Sequence, residues 1–250
     1  MSLDRFTGKV ALITGASRGI GLAIATRIVD EGGSVVLTAR KQKALDAAVA
    51  SLGASAVGVA GRADDPEHRA AVYDLISTRF GRLDHLVNNA GINPAYGPLA
   101  DVGADVMRKT FEVNVIAALE WARDAVARGL LSKGGSIVNM ASVAGLAAAP
   151  GIAFYGITKG ALVTLTLQLA SELAPGIRVN AVAPAVIKTD FARALYERDE
   201  AAAGAWYPLK RLGTVEDVAG PVAFLLSDDA AWITGHTLPI DGGSLMGSLL

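Results

Sequence analysis

Cysteine does not occur anywhere in the 250 residues, so disulfides, thiolate metal sites and cysteine nucleophiles are all excluded. Histidine is nearly as scarce. His68, His85 and His236 are scattered without the short spacing that metal ligands need, and are read as structural or surface residues. Charge is sparse as well, at 19% of residues, and its 23 basic and 24 acidic side chains are interspersed. A net charge of −1 leaves no broad electrostatic footprint for a nucleic acid. A membrane-length apolar run is missing too. The nearest approach lies between Ser142 and Ser171, where Lys159 is the sole charge. Pro150-Gly151 breaks that stretch, and Gln168 with several threonines and glycines dilutes it. A strand, a loop and a core helix therefore explain it better than a span. The apolar run behind Asp4, Arg5 and Lys9 is too short for a signal peptide. The final Ser-Leu-Leu lacks the basic residue of a peroxisomal signal. A soluble cytoplasmic protein without nucleic-acid or membrane partners is expected.

What is present is a chain that is 52% hydrophobic and long enough for one large core. Short apolar runs at residues 10–14, 34–38, 56–60, 85–88, 136–139 and 178–181, and a last one near 237–240, read as strands. Helical patterns fill the gaps at 20–30, 41–51, 67–80, 105–128, 152–173 and 215–226. No repeat, low-complexity tract or linker divides the chain. Alternation at this spacing predicts an α/β fold, a doubly wound Rossmann-type parallel sheet in a single domain over residues 1–250. The strands read as continuous apolar runs, as expected where helices cover both faces.

The first strand-helix unit carries Thr14-Gly15-Ala16-Ser17-Arg18-Gly19-Ile20-Gly21. Glycines permit a tight turn and let backbone amides approach a phosphate, while the following helix presents its positive end. The second predicted strand ends Thr38-Ala39-Arg40-Lys41. A unit that binds NAD places an acid there for the ribose hydroxyls. Here Ala39 replaces it, and Arg40, Lys41 and Arg18 supply the cations that a 2′-phosphate needs. Downstream, Tyr155 and Lys159 stand at i and i+4, one face of a helix. An ammonium beside a phenol favours the phenolate, so this pair predicts a lowered Tyr155 pKa and a proton donor or acceptor. Ser142, thirteen residues upstream, is a candidate to hold a substrate oxygen.

Taken together these motifs resemble the short-chain dehydrogenase/reductase family over nearly the whole chain. Residues Thr14 to Gly21 match its cofactor loop, and Asn88-Asn89-Ala90-Gly91 its fourth-strand motif. Asn114, Ser142, Tyr155 and Lys159 match its catalytic four, and Pro184 to Thr189, with Ile187, resembles its nicotinamide-side segment. The resemblance implies a seven-stranded sheet, NAD(P) use and a homotetramer. It implies that Lys159 holds the nicotinamide ribose and that Asn114 helps keep a water linking Lys159 to solvent. Asn93-Pro-Ala-Tyr-Gly-Pro98 and Ile187-Lys-Thr-Asp-Phe191 are similar to segments of NADP(H)-dependent carbonyl and retinal reductases. The overall pattern is also similar to bacterial 3-oxoacyl-carrier-protein reductases. The cofactor expectation is NADP(H), with NAD(H) the alternative.

Three departures stand out. Arg62-Ala63 replaces the Asp-Val that many members use to read the adenine, leaving Asp64 or Asp65 as substitutes. Ala185 replaces the glycine after Pro184. Ser171 replaces a basic residue often found in carrier-protein reductases. Leu146 to Ile152 and Phe191 to Leu209, with Trp206 and Tyr207, are expected to line an apolar entrance that suits a small lipophilic carbonyl substrate. The function expected is an NADP(H)-dependent oxidoreductase acting on a ketone, aldehyde or secondary alcohol. A 3-oxoacyl-carrier-protein reductase, an NAD(H)-dependent alcohol dehydrogenase and a non-catalytic nucleotide sensor are the alternatives. Apolar faces carrying Phe111, Val115 and Leu119, and Phe154, Ile157, Leu162, Leu165 and Leu169, suggest a subunit interface.

Overall fold

Seven runs of aliphatic residues pair side by side into one parallel sheet. The structure, a computed structural model, describes residues 4–246. The strands are β1 (Val10–Ile13), β2 (Ser34–Ala39), β3 (Ala56–Ala60), β4 (Leu83–Asn88), β5 (Leu131–Met140), β6 (Ile177–Pro184) and β7 (Thr237–Ile240). Their order is β3-β2-β1-β4-β5-β6-β7, and every pairing is parallel. The order reverses between β1 and β4. In such sheets the crevice at the carboxyl ends of the strands beside this reversal is where ligands bind.

Successive strand residues point to opposite faces, so each strand feeds two cores. Ala11 and Ile13 join one cluster with Ile24 and Ile28 of α1 (Gly19–Asp30), Leu45 of α2 (Gln42–Leu52) and Val222 of α8 (Val215–Leu226). Val10 and Leu12 join the other with Val72 and Ile76 of α3 (Pro66–Phe80), Trp121 of α5 (Ala117–Ala127) and Leu169 of α6 (Ala153–Leu173). Local signals set the ends. Asp65 caps α3 by accepting from the Glu67 and His68 amides, with Pro66 in the first turn, and Gly81 at φ +67° closes it. No helix among the described residues is long and apolar enough to cross a membrane.

The helix expected at 105–128 is interrupted. α4 (Ala104–Phe111) passes through a π turn (Glu112–Ile116) before α5 begins. The extra residue of a π turn shifts the outward face by one position. Ile116, not Val115, therefore follows Phe111 on the surface, and Val115 is buried. Leu162 and Leu169 of α6 are likewise buried in the core of their own chain. Phe111, Ile116, Leu119 and Ile157 are exposed. A short helix, α7 (Glu200–Ala205), was not expected at all.

His85 makes the fold pH-sensitive. Ser136 gives its hydroxyl proton to the Leu226 carbonyl at 3.0 Å, so its oxygen accepts from His85 Nδ1–H at 2.8 Å. Among the described residues Nε2 then has no hydrogen-bond partner, and burial lowers the imidazole pKa to about 4. Above pH 6.5 neither folded nor unfolded chain is charged there. Between pH 6.5 and 4 only the unfolded chain takes up the proton, so stability falls as pH falls, by up to about 3 kcal/mol. His68, also lowered by burial, acts in the same direction. The carboxylates of Asp64 and Asp217, lowered to about 2, act only at lower pH. Urea unfolding at pH 7 and pH 4.5 checks this, and equal stabilities would contradict it.

Candidate active site

The loops at the carboxyl ends of β1 to β6 enclose one cleft of about 1240 Å³. That exceeds the usual small-ligand range of roughly 300–1,000 Å³ and leaves room for a dinucleotide and a second molecule.

Its floor is the glycine turn after β1. Gly15 and Gly19 adopt φ +67° and +58°, where other L-residues are strained. A Cβ on Gly15 would lie 3.0 Å from Ala90 Cα, and one on Gly21 would lie 2.6 Å from Asn89 Nδ2. The turn is thus pressed against the end of β4. Thr14 Oγ1 accepts from the Asn89 and Ala90 amides at 3.0 Å each, and Asn89 Nδ2 donates to the Thr14 and Gly15 carbonyls. Gly15, Ser17, Arg18, Gly19 and Ile20 all line the cleft at the N-terminus of α1.

At one end stand Ala39, Arg40, Arg62, Ala63 and Asp64. Arg62 pairs with Asp64 at 3.0 Å and Lys109 also bonds Asp64, so both cations are committed. Arg18 pairs with Asp190 at 3.3 Å across the cleft. Among the described residues Arg40 is the cleft guanidinium with no carboxylate partner. Lys41 is the N-cap residue of α2 and lies outside the residues that line the cleft. Asp65 caps α3, and Asp64 lines the cleft.

Toward the other end Ser142, Tyr155 and Lys159 share one wall, Asn89, Ala90 and Gly91 form the base, and Pro184, Ala185, Ile187 and Thr189 form the facing wall. Ser142 Oγ donates to the Pro184 carbonyl at 3.4 Å and accepts from the Ala144 amide at 3.2 Å, near enough to the Tyr155 phenol to favour its ionised form. Lys159 Nζ lies 5.5 Å from the Tyr155 ring centroid and donates to the Met140 carbonyl at 2.6 Å. The expected lowering of the Tyr155 pKa by Lys159 is not found. Burial of the phenol is the largest effect and pushes it up to about 12, although Ser142 works the other way. Burial also lowers the Lys159 ammonium to about 8. Desolvation is the largest effect on both groups.

Asn114 sits in the π turn, 1% exposed, and does not line the cleft. Its amide bonds both backbone groups of Ile92, and Nδ2 also reaches Thr158 Oγ1 at 2.9 Å. Thr158 in turn donates to the Tyr155 carbonyl. The sequence motifs gave no hint of Thr158 or the Met140 carbonyl, since backbone acceptors leave no signature. Gly91 keeps a gap open: a Cβ there would lie 3.4 Å from Lys159 Nζ and 3.5 Å from Asn114 Oδ1.

The mouth is apolar, with Tyr96, Ala147 to Ala149, Ile152, Phe191, Leu195 and Tyr207. Phe191 stands 6.2 Å from Tyr155, ring to ring. Tyr207 meets the expectation, but Trp206 is 87% exposed and lies outside the lining. Among the described residues no cluster of carboxylates and histidines is suited to a metal ion.

The residues present fit a nicotinamide dinucleotide. The glycine turn would be filled by side chains at positions 15 and 21, helix α1 offers its amide end, and an unpaired guanidinium marks the far end. Comparison with known proteins agrees. Residues 15–244 match the family model described as enoyl-(acyl carrier protein) reductase. The chain is 43% identical over 249 residues to dehydrogenase/reductase SDR family member 4 of Caenorhabditis elegans, covering 96% of each. It is 40% identical over 245 residues to tropinone reductase-like 3 of Erythroxylum coca, covering 96% of this chain and 94% of that one. A crystal structure of a short-chain glucose/ribitol dehydrogenase from Brucella melitensis superposes with a TM-score of 0.93 at 35% identity, over 99% of this chain and 100% of the other.

Proposed function

Because the chain belongs to the short-chain dehydrogenase/reductase family, we propose that it is an NADP(H)-dependent reductase of small lipophilic ketones and aldehydes. One observation carries this. Ser142, Tyr155 and Lys159 converge at one end of a cleft whose other end holds Ala39 and the unpaired Arg40.

The cofactor supplies the hydride, and the protein's own groups manage the proton. With its pKa near 12, Tyr155 keeps its proton at neutral pH and is poised to give it from Oη to a carbonyl oxygen as charge develops there. Ser142 Oγ, on the same wall as the phenol, holds the same oxygen. The Lys159 ammonium lies close enough to stabilise the phenolate left behind. Oxidation of an alcohol would run the same steps in reverse, with the Tyr155 phenolate taking the proton. The apolar mouth suits a lipophilic carbonyl compound over a sugar phosphate. NADPH consumption with a panel of ketones, quinones, diketones, 3-oxoacyl thioesters and sugar phosphates tests this. Turnover confined to the sugar phosphates would contradict it.

We further infer a cytoplasmic homotetramer, with residues 1–250 acting as one cofactor-binding and catalytic unit. Phe111, Ile116 and Leu119 are 37–39% exposed and Ile157 is 49% exposed. These residues of α4, the π turn, α5 and α6 give an apolar face suited to an isologous contact. Light scattering at micromolar concentration is expected to give four times the chain mass, and Ile157→Glu is expected to lower it. A monomeric wild type would overturn the inference.

A further inference from the structure

The turn after β3, residues 61–64, closes the end of the cleft farthest from Tyr155, and side chains from other elements grip it from behind. Trp121 of α5 is 1% exposed and donates its indole N–H to the Ala63 carbonyl at 2.9 Å. His68 of α3 stands edge-on to that indole, ring centroids 5.9 Å apart at 76°. Its ring fills the space beside Gly61, where a Cβ would fall 2.2 Å from ring atoms. Tyr73 fixes Trp121 in turn by donating to its backbone carbonyl. Among the described residues His68 Nε2 has no hydrogen-bond partner, so packing must contribute to holding the ring. A buried indole N–H usually finds a partner. Here that partner is the backbone of a cleft wall.

We propose that Trp121, seconded by His68, is a positioning residue that sets the affinity for the adenosine end of the cofactor without touching it. The proposal rests on the NADP(H) reading above. Loss of the N–H frees the Ala63 carbonyl, and the turn that carries Arg62 and Asp64 loses its fixed height over the sheet. One hydrogen bond of ordinary net strength corresponds to about a threefold to tenfold change in affinity.

Calorimetric titration of wild type and Trp121→Phe with NADPH and with adenosine 2′,5′-bisphosphate tests it. Both ligands are expected to bind the variant about three to ten times more weakly, while kcat at saturating NADPH is unchanged. Should Trp121→Phe fold poorly, Gly61→Ala enters the same turn with Trp121 in place. It is expected to weaken both ligands, and His68→Ala in the same chain is expected to restore them by making room. If wild type binds both ligands and the variants bind them equally well, the proposal is wrong and the cofactor reading stands. Weakening of NADPH with adenosine 2′,5′-bisphosphate unaffected also overturns it. A wild type that binds neither ligand removes both.

Discussion

Tyr155→Phe is expected to lower kcat by about 10²- to 10⁴-fold, the usual worth of positioned proton transfer, with NADPH affinity and unfolding midpoint close to wild type. The ring keeps its place against Phe191 and beneath Lys159, because only the hydroxyl is removed. Lys159 remains bonded to the Met140 carbonyl, so the wall of the cleft does not depend on the phenol. What disappears is the proton donor. Steady-state and single-turnover rates with a saturating ketone measure the effect. A variant that kept more than about a tenth of wild-type turnover would show that another group delivers the proton.

The double change Ala39→Asp with Arg40→Ile is expected to reverse cofactor preference, with NADH overtaking NADPH. Ala39 ends β2 and is nearly buried, with Arg40 exposed beside it in the cleft. An aspartate at 39 both accepts from the ribose hydroxyls and repels a 2′-phosphate. Arg18 and Arg62 are already paired with Asp190 and Asp64, so Arg40 carries most of the attraction. A bidentate guanidinium makes two charge-assisted contacts of roughly 1.5–3 kcal/mol each. Losing them costs about a hundredfold or more in NADPH affinity. Equilibrium titration of both cofactors against the variant checks this, and an unchanged preference would mean that other residues select the phosphate.

The sheet was legible in the sequence because each strand contains a short, largely apolar run flanked by turn residues. The runs at 56–60 and 237–240 coincide with β3 and β7, whereas β5 extends well upstream of the expected start, to Leu131. Its first residues include Ser132, Lys133 and two glycines, which carry no strand signal. The π turn was invisible for a different reason. Neither Gly nor Pro occurs in it to mark a break, and the extra residue goes with Asn114 being held to Ile92 and Thr158, a long-range fact. At the site, glycine spacing and the Tyr155–Lys159 pair told which side chains converge. They did not tell the electrostatics. The i,i+4 relation predicted a lowered phenol pKa, but burial depends on what the rest of the fold packs around Tyr155. Likewise the sequence placed Arg40 and Lys41 side by side, and only Arg40 lines the cleft.

On the proposed function, NADPH gives its hydride to a carbonyl, with Arg40 selecting the cofactor and Tyr155 supplying the proton. Parallel steady-state kinetics of the unmodified protein with NADPH and NADH on one lipophilic ketone test this. A kcat/KM at least about a hundredfold higher with NADPH is expected, in line with two charge-assisted contacts. Equal or better kcat/KM with NADH, or no oxidation of either cofactor by any ketone, would contradict it.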